Sequence, residues 1–284
     1  MKIAVIGANG QLGTDLCSAF RAGGDDVVEL NEDRVNVTRF DGLRAAVLAA
    51  RPDLLINTAA FHHVEKCEAD PARAFAVNAD GARNAALAAK AAGSYLVHIS
   101  TDYVFDGRKR TPYVETDPAS PLNAYGRSKL AGEEAVRSAW EKSLVLRTSG
   151  LYGKAPCIGK GGRNFVELML KLAKERDEVR VVDNEVLTPT STREVARQVV
   201  ELSRSPIHGL CHATCEGSCS WHRFAQEIFA IAGVKVNLQV ARPDEFPAKV
   251  PRPLYSVLEN AVLKKNGLNM FRPWQQALRE YLAS

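Results

Sequence analysis

The 284-residue sequence predicts an α/β fold, a doubly wound parallel sheet with a second, smaller lobe. Three observations predict it. Short apolar runs of strand length alternate with alanine-rich helical stretches through the first half of the chain. The connections between them are short turns, and the first strand runs directly into a glycine-rich turn. Parallel neighbours need a crossover helix, so this alternation implies a sheet covered on both faces. The fixed hand of such crossovers, together with the glycine-rich turn, points to double winding.

Lys2 to Ile6 is a strand of the buried type, and Gln11 to Ala22 is a helix. Asp26 to Leu30 is the second strand and Phe40 to Ala50 the second helix; Arg51-Pro52-Asp53 then turns the chain into the strand Leu54 to Asn57. Pro71 to Ala92 reads as one long helix, stopped by Gly93 before the strand Tyr95 to Ser100. Leu130 to Trp140 is helical and leads to the strand Leu144 to Arg147. After about Gly150 the rhythm changes: Gly153 to Gly162 holds four glycines, one proline and two lysines, a loop signal. An amphipathic helix Phe165 to Glu175, a strand Val179 to Asp183 and a helix from about Ser191 to Arg204 follow. A strand-plus-helix unit, Gly209 to Gly233, and a Pro-rich stretch, Arg242 to Pro253, belong to the smaller lobe.

Hydrophobic residues make up 46% and charged residues 25%, as in ordinary globular chains. The net charge of +4 is small and scattered, which argues against nucleic acid or a membrane surface as partner while suiting an anionic ligand. The N-terminus has no cleavable signal pattern, and no apolar run is long enough to span a bilayer, so a cytoplasmic address is expected. The six cysteines lack the pattern of a disulfide framework. Cys211, Cys215 and Cys219 cluster near His208, His212 and His222 but without the paired short spacings of structural zinc; no metal is expected.

Gly7-Ala8-Asn9-Gly10-Gln11-Leu12-Gly13 lies between the first strand and first helix. The spacing is one residue wider than the dinucleotide fingerprint, but the physical demand is the same. Glycines let the backbone turn tightly and approach a pyrophosphate whose charge sits at a helix N-terminus. After the second strand, Glu29 and Glu32 could bond an adenosine ribose, whereas Arg34 and Arg39 could greet a 2′-phosphate; NADH and NADPH both stay open. The second site is Ser100-Thr101-Asp102 at a strand end, with Tyr125 and Lys129 at the start of a helix. Spacing of four puts phenol and amine on one helical face, and a nearby ammonium makes a phenol a better proton exchanger near neutrality. These sites divide the chain into a dinucleotide-binding domain, residues 1–150 with roughly 186–206, and a substrate-binding lobe, roughly 151–185 with 207–284.

Gly7 to Gly13, Asn57-Thr58-Ala59-Ala60, Ser100 to Gly107 and Tyr125 to Lys129 together resemble the extended short-chain dehydrogenase/reductases, Rossmann-like enzymes, and within them the dTDP-4-dehydrorhamnose reductase branch. Val64 to Glu68, Ala76-Val77-Asn78, Pro112 to Glu115, Pro121-Leu122-Asn123, Asn164-Phe165-Val166, Val181-Val182-Asp183 and Pro189-Thr190 carry the resemblance onward, and Ser256 to Asn260 extends it more loosely. The resemblance implies NAD(P)H-dependent reduction of the 4-keto group of a nucleotide-linked 6-deoxysugar. It implies that Thr101 bonds the keto oxygen, Tyr125 donates the proton, and Lys129 holds the nicotinamide ribose. It further implies Gly10, Gln11 and Leu12 at the pyrophosphate, Asn36 and Val37 at the adenine, and Ala59 and Ala60 near the cofactor ribose. Asp102 and Tyr103 would line the sugar pocket, and Arg252 would grip the nucleotide diphosphate.

The sequence departs from the family pattern in three places. Gly150 stands where the family commonly has a tryptophan that packs on the sugar; Asp183-Asn184-Glu185 replaces an Asp-Gln pair; and His62-His63 stand where smaller residues are usual. Relatives include metal-bridged dimers, which leaves a homodimer open. Two other readings stand beside the reductase: a sugar-nucleotide epimerase that retains its NAD, and a non-catalytic subunit like the regulatory subunit of methionine adenosyltransferase. A dehydratase is disfavoured, because Thr101-Asp102 is followed by Tyr103 and supplies one carboxylate.

Overall fold

A computed structural model describes residues 1–157, 161–205, 207–242, 245 and 249–284; the centre of the glycine-rich loop after Gly153 and part of the Pro-rich stretch lie outside the described residues. The core is a parallel sheet of six strands. These are β1 (Lys2–Ile6), β2 (Asp26–Leu30), β3 (Leu54–Asn57), β4 (Tyr95–Thr101), β5 (Ser143–Thr148) and β10 (Gly209–His212), in the order β10-β5-β4-β3-β1-β2. Side chains alternate across it. Ile3, Val5, Leu54, Ile56, Val97, Leu144 and Leu146 pack on one layer, and Ala4, Ile6, Leu55, Leu96 and Val145 on the other. With both faces covered, each inner strand must be apolar on both parities, which is why these segments read as continuous apolar runs.

Helices α1 (Gln11–Ala22) and α8 (Thr192–Arg204) cover the first face. Helices α2 (Phe40–Ala50), α5 (Gly81–Ala92) and α6 (Ala124–Ala139) cover the second. Ala82, Ala85, Ala86 and Ala89 are buried, so α5 lies close between its neighbours without displacing them. The strand order reverses between β1 and β3, and a crevice opens outside the carboxyl ends of strands at such a switch point.

Two expectations change. Gly209–His212, placed by sequence with the smaller lobe, pairs with β5 and forms the sixth strand of the central sheet. As the edge strand it has one sheet neighbour, β5, more than sixty residues earlier in the chain, and local pattern carries no such information. The stretch Pro71 to Ala92 is helical but not one α-helix: α4 (Pro71–Phe75) passes through a π-turn, Ala76–Asp80, into α5. The turn carries Asn78, whose side chain bonds both the N–H and the C=O of Phe61 (2.8 and 2.9 Å) and Ser128 (2.9 Å). A π-turn is a common way to re-aim a side chain at a functional site.

The smaller lobe contains α7 (Phe165–Glu175), α9 (Trp221–Ala232) and α11 (Trp274–Ala283), with the short paired strands β7 (Glu178–Val181) and β12 (Asn237–Val240). Among the described residues it builds no separate core around these elements. Phe224, Ile228, Trp274 and Leu278 pack into the same cluster as α1 and the first face of the sheet.

Helix α6 is held by an ion pair buried in this core. Arg147 of β5 grips Glu133 of α6 through Nε (2.9 Å) and Nη2 (2.7 Å), and Ser100 of β4 donates to the same carboxylate at 2.5 Å. Both side chains are nearly sealed, with 4% and 2% exposure, so neither charge can fall back on water. Removing one partner strands the other. Glu133→Ala is expected to cost about 3–5 kcal/mol of unfolding free energy, measured by urea denaturation; a loss within ordinary surface-mutation scatter would show that the pair does not anchor α6.

Candidate active site

The glycine-rich turn forms because β1 ends at Ile6 and the chain must double back into α1. Gly7 adopts a φ of 75° and its N–H bonds Leu30 O at 3.0 Å, while Gly10 N–H bonds Gly7 O at 3.0 Å. A Cβ at Gly13 would lie 2.2 Å from Gly7 O, so the first helical turn can press against the strand end only as glycine. Gly10 caps α1 without a side-chain bond, and the first turn holds no acid, which leaves backbone N–H groups and the positive end of the helix dipole facing outward. The Gln11 side chain crosses to Gly153 O at 2.9 Å and ties this turn to the smaller lobe.

A cavity of about 560 Å³ runs from this turn to the end of β4. It brings together Gly7, Gly10, Gln11, Leu12, Gly13, Asn36, Val37, Ala59, Ala60, Thr101, Asp102, Tyr103, Tyr125 and Lys129. Arg252 stands back from the wall, ion-paired with Glu65 and close to Tyr103. Asn36 accepts from the N–H (2.9 Å) and hydroxyl (2.7 Å) of Thr38, and Val37 is buried, its carbonyl bonded by Asn84 at 2.9 Å. Glu32 lines the cavity, whereas Glu29 is paired with Arg21 at 2.7 Å.

Tyr125 and Lys129 lie in the first turns of α6, which starts at Ala124. Asn123 caps it by accepting from Gly126 N–H at 2.9 Å, and its amide reaches Pro251 O at 2.8 Å. Burial raises the Tyr125 phenol, and a hydrogen bond with Thr101 acts against that rise. Tyr103 packs edge-on against the Tyr125 ring, centroids 5.7 Å apart. Burial pulls the Lys129 ammonium down to about 8, opposed by Glu133. The Asp102 carboxyl is raised by burial and restrained by Ser256, Ser149 and Thr101; Ser149 donates to it at 2.9 Å and Thr101 at 3.1 Å. That carboxylate is thus occupied in holding the strand end. The arrangement can present a hydroxyl and a phenol to one oxygen atom, with an amine beneath.

His62 lines the cavity, its Nε2 3.8 Å from the sulfur of Cys157, and His63 caps α3 (Val64–Ala69) by accepting from Lys66 N–H at 3.4 Å. Cys211, Cys215 and Cys219 are buried thiols, each pushed up to about 12 by burial. Among the described residues no group of three or more His, Cys, Asp and Glu could hold a metal ion, and no helix is long and apolar enough to cross a membrane.

Over residues 1–284 the chain matches the family described as the RmlD substrate binding domain. The chain belongs to that family. It is 40% identical to the spore coat polysaccharide biosynthesis protein SpsK of Bacillus subtilis over 99% of this chain and 96% of that protein. It is 37% identical to a dTDP-4-dehydrorhamnose reductase of Burkholderia thailandensis over 98% of this chain and 97% of that protein. A solved dTDP-4-dehydrorhamnose reductase from Bacillus anthracis, in complex with NADP, superposes with a TM-score of 0.94 at 35% identity, over 99% of this chain and 98% of that chain.

Sequence reasoning missed several residues at the RmlD-family site. Ser149 and Ser256 line the cavity, and His98 and Asn57 stand behind Lys129; Asn57 and Ser256 fall within quoted motifs, but nothing local gave any of the four a role. Trp221 and Phe165 also line the cavity, ring centroids 4.5 Å apart, with the indole N–H on Glu185 at 3.1 Å. They provide aromatic surface in a cavity where Gly150 has none. Gly150 itself has a φ of 53°, and a Cβ there would meet Leu187 Cδ1 at 2.7 Å and Thr188 O at 3.1 Å. Gly150→Ala is therefore expected to lower stability by about 1–2 kcal/mol, read as a drop in the melting temperature; an unchanged melt would mean this turn relaxes freely.

Proposed function

We propose that this chain is an NAD(P)H-dependent reductase acting on the 4-keto group of a nucleotide-linked 6-deoxysugar, converting dTDP-4-dehydro-L-rhamnose to dTDP-L-rhamnose. The observation that carries the proposal is the convergence of Thr101, Tyr125 and Lys129 on one cavity whose other end is the uncapped N-terminus of α1. The residues present fit a dinucleotide. The glycine cradle has no room for side chains, the helix end is free of acid, and the cavity continues past Asn36 and Val37 to Ala59 and Ala60. NADPH or NADH serves, and the relative that holds NADP favours the phosphorylated form.

Gly10, Gln11 and Leu12 contact the pyrophosphate, Gln11 and Leu12 through their backbone N–H groups at the start of α1 and Gly10 through the close approach its missing side chain allows. Lys129 bonds the nicotinamide ribose and, when charged, favours ionisation of Tyr125. The bound cofactor supplies the hydride. Thr101 turns its single hydroxyl proton from Asp102 to the substrate's keto oxygen, and Tyr125 gives that oxygen its proton. Asp102 and Tyr103 shape the sugar pocket. Arg252 serves the diphosphate; its Nε is buried and has no hydrogen-bond partner among the described residues. The cofactor-binding part is residues 1–150 with roughly 186–206, joined by the edge strand β10, and the rest forms the substrate lobe. With no membrane-crossing helix among the described residues, we place the reaction in the cytoplasm.

The test is purified protein with dTDP-4-dehydro-6-deoxy-L-lyxo-hexose, following NADPH and NADH absorbance. One reduced cofactor should be consumed per sugar, and Tyr125→Phe should lower kcat about 10²–10⁴-fold, the range for loss of a general acid. Sugar interconversion without net cofactor oxidation would replace this reading with an epimerase, and cofactor binding without turnover would replace it with a binding subunit.

A further inference from the structure

Behind Lys129 a polar column runs through an otherwise apolar part of the sheet. The amine donates to Ile99 O at 2.6 Å and meets Nε2 of His98 at 3.5 Å. Nδ1 of His98 lies 3.2 Å from the amide nitrogen of Asn57. The Asn57 side chain is fixed in this orientation, because its Oδ1 accepts the backbone N–H of Ala59 at 3.1 Å. Its NH₂ therefore donates to Nδ1. A neutral imidazole has one donor and one acceptor nitrogen, so the ring proton is on Nε2 and points at the lysine. His98 is neutral: it is almost completely buried, and burial with Lys129 beside it holds it well below the usual imidazole range.

An N–H aimed at an amine opposes the ammonium form and donates to the lone pair of the neutral form. The column begins at Ala59, in the turn that lines the cavity, and ends on Lys129. We propose that His98 is a positioning residue which, oriented through Asn57 by the Ala59 N–H, sets the protonation of Lys129 and thereby the pH range over which the cofactor is gripped. The proposal rests on the reading of Lys129 as the residue that holds the cofactor ribose.

The other groups around Lys129 do not take over this role. Glu133, one turn along α6, favours the ammonium, but its carboxylate is already shared between Arg147 of β5 and Ser100 of β4. Tyr125 lies one turn back along α6. Asp102, beyond β4, and the buried thiol of Cys67, in α3, both act on that tyrosine by raising its phenol. His98 is the group that meets the amine from behind.

The experiment measures NADPH affinity against pH by fluorescence, with no sugar present. In the unaltered protein affinity should fall as pH rises through about 8, where Lys129 loses its proton. Lys129→Met should lack that step. His98→Leu removes the opposing N–H and should move the step up by about one pH unit, a tenfold change in proton affinity. His98→Gln, which keeps an N–H donor, should leave it near its original position. Asn57→Asp is nearly isosteric and keeps an acceptor for Ala59, but it draws the ring proton to Nδ1; it too should move the step upward. It decides the matter if His98→Leu fails to fold. A step that disappears in Lys129→Met yet stays in place in the folded His98→Leu or Asn57→Asp protein would overturn the role of His98 alone. A step that persists in Lys129→Met would overturn the reading of Lys129 as well.

Discussion

The bidentate pair between Glu133 and Arg147 is the contact on which the geometry of the site depends. It joins helix α6 to strand β5 inside the core, and Ser100 brings β4 into the same bond network. Of these, α6 carries Tyr125 and Lys129 and β4 carries Thr101. A charged pair at this depth contributes less stability than an apolar pair of the same shape could, because both ions lose their hydration. Its effect is directional: a carboxylate and a guanidinium meet in one geometry, where two leucines could slide. A fixed α6 matters because proton transfer to a keto oxygen needs the phenol within hydrogen-bond reach of it.

The second constraint is the strand order. Because the sheet reverses direction of growth between β1 and β3, the loops after those strands diverge and leave the crevice that the cavity occupies. Gly7 to Gly13 closes one wall and Thr58 to Ala60 the other, with β4 and α6 forming the end. The smaller lobe covers this crevice while sharing its core with α1 and the first face of the sheet. Gln11 on Gly153, Asn123 on Pro251 and Arg252 on Glu65 are among the polar links across the join. The glycine-rich turn and helix α6 are thus each tied directly to the smaller lobe.

What the sequence made legible was local. The glycine turn, the strand end at Thr101 and the four-residue spacing of Tyr125 and Lys129 are all set by neighbours along the chain, so pattern reveals them. The membership of β10 in the central sheet, the π-turn at Asn78 and the serines that restrain Asp102 depend on partners far away in sequence. Arg252 illustrates the same limit. Its type suggested a phosphate ligand, yet its ion pair with Glu65, 187 residues away, was invisible until the chain was folded. Gly150 was legible as a departure but not as a consequence: its left-handed backbone and the crowding by Leu187 appear only in three dimensions, as do Trp221 and Phe165 beside the cavity.

On the proposed reading, α6 presents Tyr125 and Lys129 to a dinucleotide lying across the switch point. A crystal structure of the protein with NADP and dTDP tests it most directly. The pyrophosphate is expected against Gly10 on the backbone N–H groups of Gln11 and Leu12, the nicotinamide ribose on Lys129, and the nicotinamide ring facing Thr101 and Tyr125. A dinucleotide bound elsewhere, or one whose nicotinamide lies beyond reach of Tyr125, would contradict it.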